Sequence, residues 1–271
     1  MSATRVSPRW LALREPADAQ ARALDLAERL ARALPPSGAR VIHDLGCGTG
    51  SMGRWLAPQL AGAQHWVVHD RDEDLLALAA ADRPAAAADG APVTVEARRT
   101  DLATAHARDL AGASAITASA LLDLLTESEL DRLAGTCLAA GCPILLTLSV
   151  TGSAELAPAL ALDRTVAAAF DAHQRRKTER GRLLGPDAAD LAAETFRRLG
   201  AEVVLRPSPW RLGSTHAALT AEWFAGWVDA ACEQDPALEA RRDLYARRRL
   251  EQASAGELAV TVGHADMLVL P

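Results

Sequence analysis

Short apolar, β-branched runs alternate with stretches of helical period up to Val150. ARVIHDL reads as a strand running into the glycine-rich turn GCGTG, and a helix follows from about Ser51 to Leu60. HWVVHD is a second strand with EDLLALAAA as its helix. PVTVEARRTD is a third strand, SAITAS a fourth with ESELDRLAGTCLA as its helix, and CPILLTLSV a fifth. Strands alternating with helices predict a parallel sheet covered on both faces. After Val150 the rhythm breaks. A helical segment from roughly Ala159 to Arg175 meets the basic stretch QRRKTERGR, and Pro186 and Asp187 open the helix DAADLAAETFRRL, stopped by Gly200. AEVVLRP is a sixth strand, residues 216–254 hold two helices parted at Asp235-Pro236, and ELAVTVGHADMLVLP is a seventh strand bent around Gly263. Ahead of the first strand, Pro16 opens a helical stretch that Pro35, Pro36 and Gly38 end.

Composition narrows the class. The chain has 271 residues, 49% of them hydrophobic, enough for one α/β domain with insertions. A formal net charge of -6 argues against a dedicated nucleic-acid binder, which shows a basic field. Cys47, Cys137, Cys142 and Cys232 form no C-x-x-C pair and no zinc spacing, so they read as reduced thiols and no metal is expected. MSATRVSPRW has no apolar signal core and no run is long enough to span a bilayer, so a cytoplasmic protein without a membrane partner is expected.

Candidate chemistry concentrates in Asp44-Leu45-Gly46-Cys47-Gly48-Thr49-Gly50, between a strand and a helix at the carboxyl edge, where open α/β sheets bind ligands. Glycine there removes the Cβ atoms that would hold a ligand off the backbone, and the next helix offers unpaired N–H groups. The second strand ends in Asp70, placed to accept hydrogen bonds from ribose hydroxyls. Ser51 stands where a dinucleotide fingerprint needs its third glycine, and there is no G-x-x-x-x-G-K-[ST] phosphate loop.

HDLGCGTG followed by VVHDRDEDLLALA resembles the first two motifs of class I, Rossmann-like S-adenosylmethionine-dependent methyltransferases, and the likeness extends over residues 40–150. The resemblance implies an α/β fold: a doubly wound, seven-stranded, mostly parallel sheet with an antiparallel last strand, plus helical insertions. One domain over residues 1–271 is expected, with a covering helix segment at 1–38 and insertions at 151–186 and 208–255 shaping the acceptor site. The implied cofactor is S-adenosyl-L-methionine. Asp44, Gly46, Cys47, Gly48 and Gly50 would hold its methionine part, Asp70 with Arg71 its ribose, and Asp101 with Leu102 its adenine. Ser119 to Asp123 would line the reactive methyl, with Asp123 a catalytic candidate that could instead simply cap a helix. Arg14 and Arg22 in the covering segment are candidates for the cofactor carboxylate, since guanidinium forks match carboxylates.

Methyl transfer needs alignment of a nucleophile and, for some acceptors, removal of a proton. TASALLDLL after the fourth strand is not the Asn/Asp-Pro-Pro-aromatic motif of amino-methylating nucleic-acid enzymes, and Cys142-Pro143 is not a Pro-Cys nucleophile site. A small-molecule acceptor is therefore expected. A non-catalytic cofactor-binding partner of the same fold is the second reading, and an RNA methyltransferase a third. Leu162, Val166 and Phe170 form a buried helical stripe that His173 and Gln174 continue, which makes His173 a candidate general base and Gln174 and Arg175 acceptor contacts. The cations Arg175, Arg176, Lys177, Arg180 and Arg182 favour an acidic or phosphorylated acceptor. Trp223 and Trp227 share a helix face and read as core, whereas Trp210 is expected to line a pocket.

Overall fold

The computed structural model describes residues 6–102 and 106–271. Two helices, α1 (Pro8–Ala21) and α2 (Leu24–Ala33), precede β1 (Arg40–Leu45). The α/β alternation then runs α3 (Ser51–Leu56), β2 (Gln64–Asp70), α4 (Glu73–Ala81), β3 (Val93–Arg99), β4 (Ala115–Ser119), α5 (Glu127–Leu138) and β5 (Ile144–Ala157). Beyond it lie α6 (Asp163–Gln174), the hairpin β6 (Lys177–Thr178) and β7 (Gly181–Arg182), α7 (Ala188–Arg198) and β8 (Glu202–Pro207). The last elements are β9 (Trp210–Leu212), α8 (Ala217–Gln234), α9 (Glu239–Ser254) and β10 (Ala259–Leu270).

The main sheet is eight-stranded, ordered β3-β2-β1-β4-β5-β10-β8, with β9 paired to β10 off that path. Strands β1 to β5 are parallel. β10 runs antiparallel to both β5 and β8, as expected for the last strand. The strand order reverses between β1 and β4, which opens a crevice at their carboxyl ends. One helical layer buries Leu26 and Leu30 of α2, Met52 and Leu56 of α3 and Leu76 of α4 against one face. The other buries Leu130 and Leu133 of α5 and Phe196 of α7. A third core joins α6, α8 and α9 to the outer parts of β5 and β10 through Val166, Trp227, Tyr245 and Val260. No helix of the described residues is long and apolar enough to cross a membrane. The four cysteines are buried and free.

Two segments differ from the sequence expectation. β5 does not stop at Val150 but continues to Ala157, its outer half pairing with β10 as far as Ala259. Residues 151–157 therefore form strand, where the expected insertion was helical. The register slips between Val262 and His264, so the expected bend at Gly263 is a bulge. The N-terminal helix starts at Pro8 under a Ser7 cap, passes through Pro16, and breaks at Arg22, whose backbone is extended (φ -55, ψ 136). The break has a visible cause. The Ala23 N–H leaves the helix and donates to Asp266 Oδ2 of β10 at 2.8 Å.

Candidate functional site

The glycine loop leaves β1 with Gly46, Gly48 and Gly50 all in the left-handed region (φ 67, 56 and 84). A Cβ at Gly46 would lie 3.1 Å from Leu121, and one at Gly48 3.1 Å from Leu11 of α1, so α1 and the turn after β4 close over the loop. Asp70, at the end of β2, fastens the loop. Its Oδ2 accepts the Gly48 N–H at 3.0 Å and its Oδ1 accepts the Asp72 N–H at 3.0 Å. The Cys47 thiol donates to the Gly48 carbonyl, and burial pushes that thiol up, away from thiolate chemistry. Arg71 is exposed beside Asp70. Asp101 is exposed just beyond β3, and Leu102 packs half-buried on the α5–α7 core.

The break at Arg22 turns its side chain inward. Arg22 is 4% exposed. Its Nη2 donates to Ser119 Oγ at 3.1 Å and to Ser51 Oγ at 3.3 Å, and it lies 5.3 Å from the centre of the Trp55 ring. Its Nε and Nη1 are buried without a hydrogen-bond partner. Burial lowers its pKa, with Asp18 and Asp266 acting against that. Ser119 also accepts from Thr147 at 3.0 Å. On β1, Asp44 is 1% exposed; Thr117 donates to its Oδ1 at 2.7 Å, and its Oδ2 has no partner. Burial lifts the Asp44 pKa to about 7, against the pull of Thr117 and Arg22. A buried cation with two idle donors and a buried carboxyl with one idle acceptor thus stand beside one glycine loop. Unpaired groups of this kind cost stability unless a ligand or an ordered water meets them.

Past β4 the chain turns through Ala120, a non-glycine residue at φ 51. Such strain persists where the surroundings impose it and gathers at functional sites. Asp123 follows, half-buried, and burial raises its pKa to about 6, with the charges of Arg14 and Arg176 opposing.

Other expected residues lie elsewhere. Trp210, expected at a pocket, is 3% exposed; its Nε1 donates to Asp18 Oδ1 at 2.9 Å, and its ring packs against Arg14 and His264. It holds α1 to β9, because a buried indole N–H takes the nearest acceptor. Arg14 is likewise committed to Asp18 at 2.9 Å, so of the two arginines expected at the cofactor carboxylate it is Arg22 that has idle donors. Arg175 grips Asp187 with both arms at 2.6 Å, and Arg180 pairs with Glu129 at 2.7 Å. The basic stretch is therefore partly neutralised within the fold, which weakens the case for an acidic acceptor. His173 Nε2 meets Glu233 Oε2 at 3.0 Å on the seam between α6 and α8. Gln174 lines a cavity beside β5 and β10. Sequence reasoning missed Ser51 as a partner of Arg22, and it missed Asp266. An acid inside the apolar run of β10 was the available signal, since such a group must find donors. Among the described residues no group of three His, Cys, Asp or Glu could hold a metal.

The strand order and the antiparallel β10 give the fold of the class I, Rossmann-like methyltransferases. No protein-family model matches the chain, and no curated protein matches it. Among solved structures it is similar to the YcgJ protein of Bacillus subtilis, at 9% identity over 91% of this chain and 97% of that one, with a TM-score of 0.50. It is also similar to a SAM-dependent methyltransferase from Thiobacillus denitrificans in complex with S-adenosyl-L-homocysteine, at 16% identity over 99% of this chain and 100% of that one, TM-score 0.47. A SAM-dependent methyltransferase from Geobacter sulfurreducens, in complex with the same molecule, is 17% identical over 98% of each chain, TM-score 0.46. At such identities the likeness is one of fold.

Proposed function

We propose that the chain is an S-adenosyl-L-methionine-dependent methyltransferase acting on a small molecule. The observation that carries this is the pairing of Arg22, with Nε and Nη1 idle, and Asp44, with Oδ2 idle, at the glycine loop. An amino acid carries a carboxylate and an ammonium, and the methionine part of the cofactor presents both. Arg22 would bind the carboxylate and Asp44 the ammonium, while Asp70 has lone pairs left beyond its two backbone bonds for ribose hydroxyls. When bound, the cofactor supplies an electrophilic methyl group on a sulfonium. Leu11 and Leu121, which flank the loop, would exclude water from it.

The protein's remaining task is to align the acceptor and take its proton. Asp123 is placed after the turn that closes on the loop, and its pKa of about 6 suits a general base near neutral pH. His173 is the second candidate base, held by Glu233. In-line transfer follows if the acceptor atom sits between the Ser119–Asp123 turn and the loop. Calorimetry tests the reading. S-adenosylhomocysteine should bind and NAD should not, and tight NAD binding with no S-adenosylhomocysteine binding would overturn it.

A further inference from the structure

The outer halves of β5 and β10 form a ribbon that α6 and α8 cover, and between them lies a partly open cavity of about 20 Å³, room for one group the size of a water molecule or an ammonium head. Trp223 and Trp227 of α8 line it, stacked with centroids 5.3 Å apart, and Phe170 of α6 lies 6.5 Å from Trp227. Asp171, Gln174 and Ser153 contribute its polar lining. Trp227 is 1% exposed, yet its Nε1 has no hydrogen-bond partner. Among the described residues, the Asp171 carboxylate makes neither a hydrogen bond nor an ion pair. The nearby Arg175 is taken by Asp187. Burial raises the Asp171 pKa to about 6, with the charge of Arg175 opposing and that of Asp187 adding, so the carboxylate is desolvated and its nearest cation is shared with Asp187.

We propose that this cavity takes an ammonium group, and that it anchors the cationic end of the methyl acceptor. The second half of the proposal rests on the methyltransferase reading above. Aromatic faces attract cations, and a half-buried carboxylate beside them completes the match. An anionic group would meet Asp171, and a neutral apolar group would leave it desolvated and unpaired.

Position separates this anchor from the reaction. Thr147 of β5 is in register with Ser119, and the cavity begins at Val150. That is roughly 10 Å farther along a strand that rises about 3.3 Å per residue. The ammonium is thus a handle, and the methylated atom is a different atom of the same molecule.

Tryptophan-fluorescence titration of the full chain with n-butylammonium, n-butanol and n-butyrate tests the cavity. The expected result is saturable quenching by n-butylammonium, at least about tenfold weaker binding of n-butanol, and none of n-butyrate. Asp171→Asn should bring n-butylammonium to the level of n-butanol while S-adenosylhomocysteine affinity stays that of the parent. Trp223→Leu, checked for folding by circular dichroism, should weaken n-butylammonium similarly. Equal binding of the amine and the alcohol, full retention in Asp171→Asn, or no saturable response to n-butylammonium overturns the proposal. S-adenosylhomocysteine binding without an ammonium response sinks this inference alone. An ammonium response without S-adenosylhomocysteine binding supports the cavity, and overturns its role as acceptor anchor together with the methyltransferase reading.

Discussion

Arg22 and Arg249 are the two arginines buried among the described residues, and their surroundings differ. Arg249 sits in the helical third core. Its Nη2 donates to both oxygens of Asp163, and its Nη1 donates to the Pro158 carbonyl at 2.7 Å and to Gln252 at 2.8 Å. Tyr245 completes the cluster by donating to Asp163 at 2.7 Å. Only Nε of Arg249 lacks a partner. Arg22, beside the glycine loop, uses one nitrogen on two hydroxyls and leaves the other two idle. One guanidinium is matched by the fold's own anion and binds helices together. The other is held in place by neutral groups, which orient it without cancelling its charge. In the function proposed above, the buried charge without an ion-pair partner is the one that meets the ligand. The neutralised one is a joint.

The contrast can be broken by exchanging what each arginine does. The largest effect is expected at the joint. Arg249→Met leaves Asp163 buried without its cation and should cost about 3–5 kcal/mol of stability. Denaturant melts would read this, and the affinity of the folded fraction for S-adenosylhomocysteine should be unchanged. Arg22→Met should do the reverse. It should weaken S-adenosylhomocysteine by about 1.5–3 kcal/mol, the value of hydrogen bonds to a charged group, with stability unchanged or raised. Loss of folding without loss of affinity in the folded fraction would erase the distinction. Asp70→Ala should weaken the same ligand by about 1–3 kcal/mol, because both the ribose contact and the Gly48 tie to the loop go.

The smallest effect concerns pH and sharpens the role of Asp44. Its folded pKa is raised to about 7, so the ligand-free fold favours the protonated acid. That contribution to stability is present below its ordinary value of 3.8 and is lost as pH rises through about 7. A ligand ammonium favours the ionised acid instead. Binding of S-adenosylhomocysteine below pH 7 should therefore release a proton, and affinity should climb by up to about tenfold per pH unit before flattening above it. Calorimetry in buffers of different ionisation enthalpy measures the proton directly. Asp44→Asn should flatten the profile.

Local spacing made the parallel half of the sheet readable. Glycines at Gly46, Gly48 and Gly50 with acids at Asp44 and Asp70 need only a strand, a turn and a helix to take their places. The antiparallel half was less legible. Residues 151–157 are mostly small or polar, Leu156 apart, and carry little strand signal of their own; pairing with β10, far along the chain, makes them strand. The basic stretch reads in sequence as a site for an acidic acceptor, because its neutralising partners, Asp187 and Glu129, come from other elements. Arg14 and Arg22 were indistinguishable as sequence. An i,i+4 acid captured the first, and a backbone break forced by Asp266 turned the second inward.

That break also sets an order of assembly. The hydrogen bond from Ala23 to Asp266 joins positions 243 residues apart, and the same carboxylate also receives the Leu148 N–H at 2.8 Å and the Ser208 hydroxyl. Contacts of such sequence separation form late, since closing the intervening chain must come first. On a ribosome the glycine loop emerges long before Asp266 does. The parallel strands can pair around that loop while Arg22 still belongs to an unbroken helix. If Arg22 holds the ligand as proposed, capture waits until β10 docks, and binding then reports a finished fold rather than a nearly finished one.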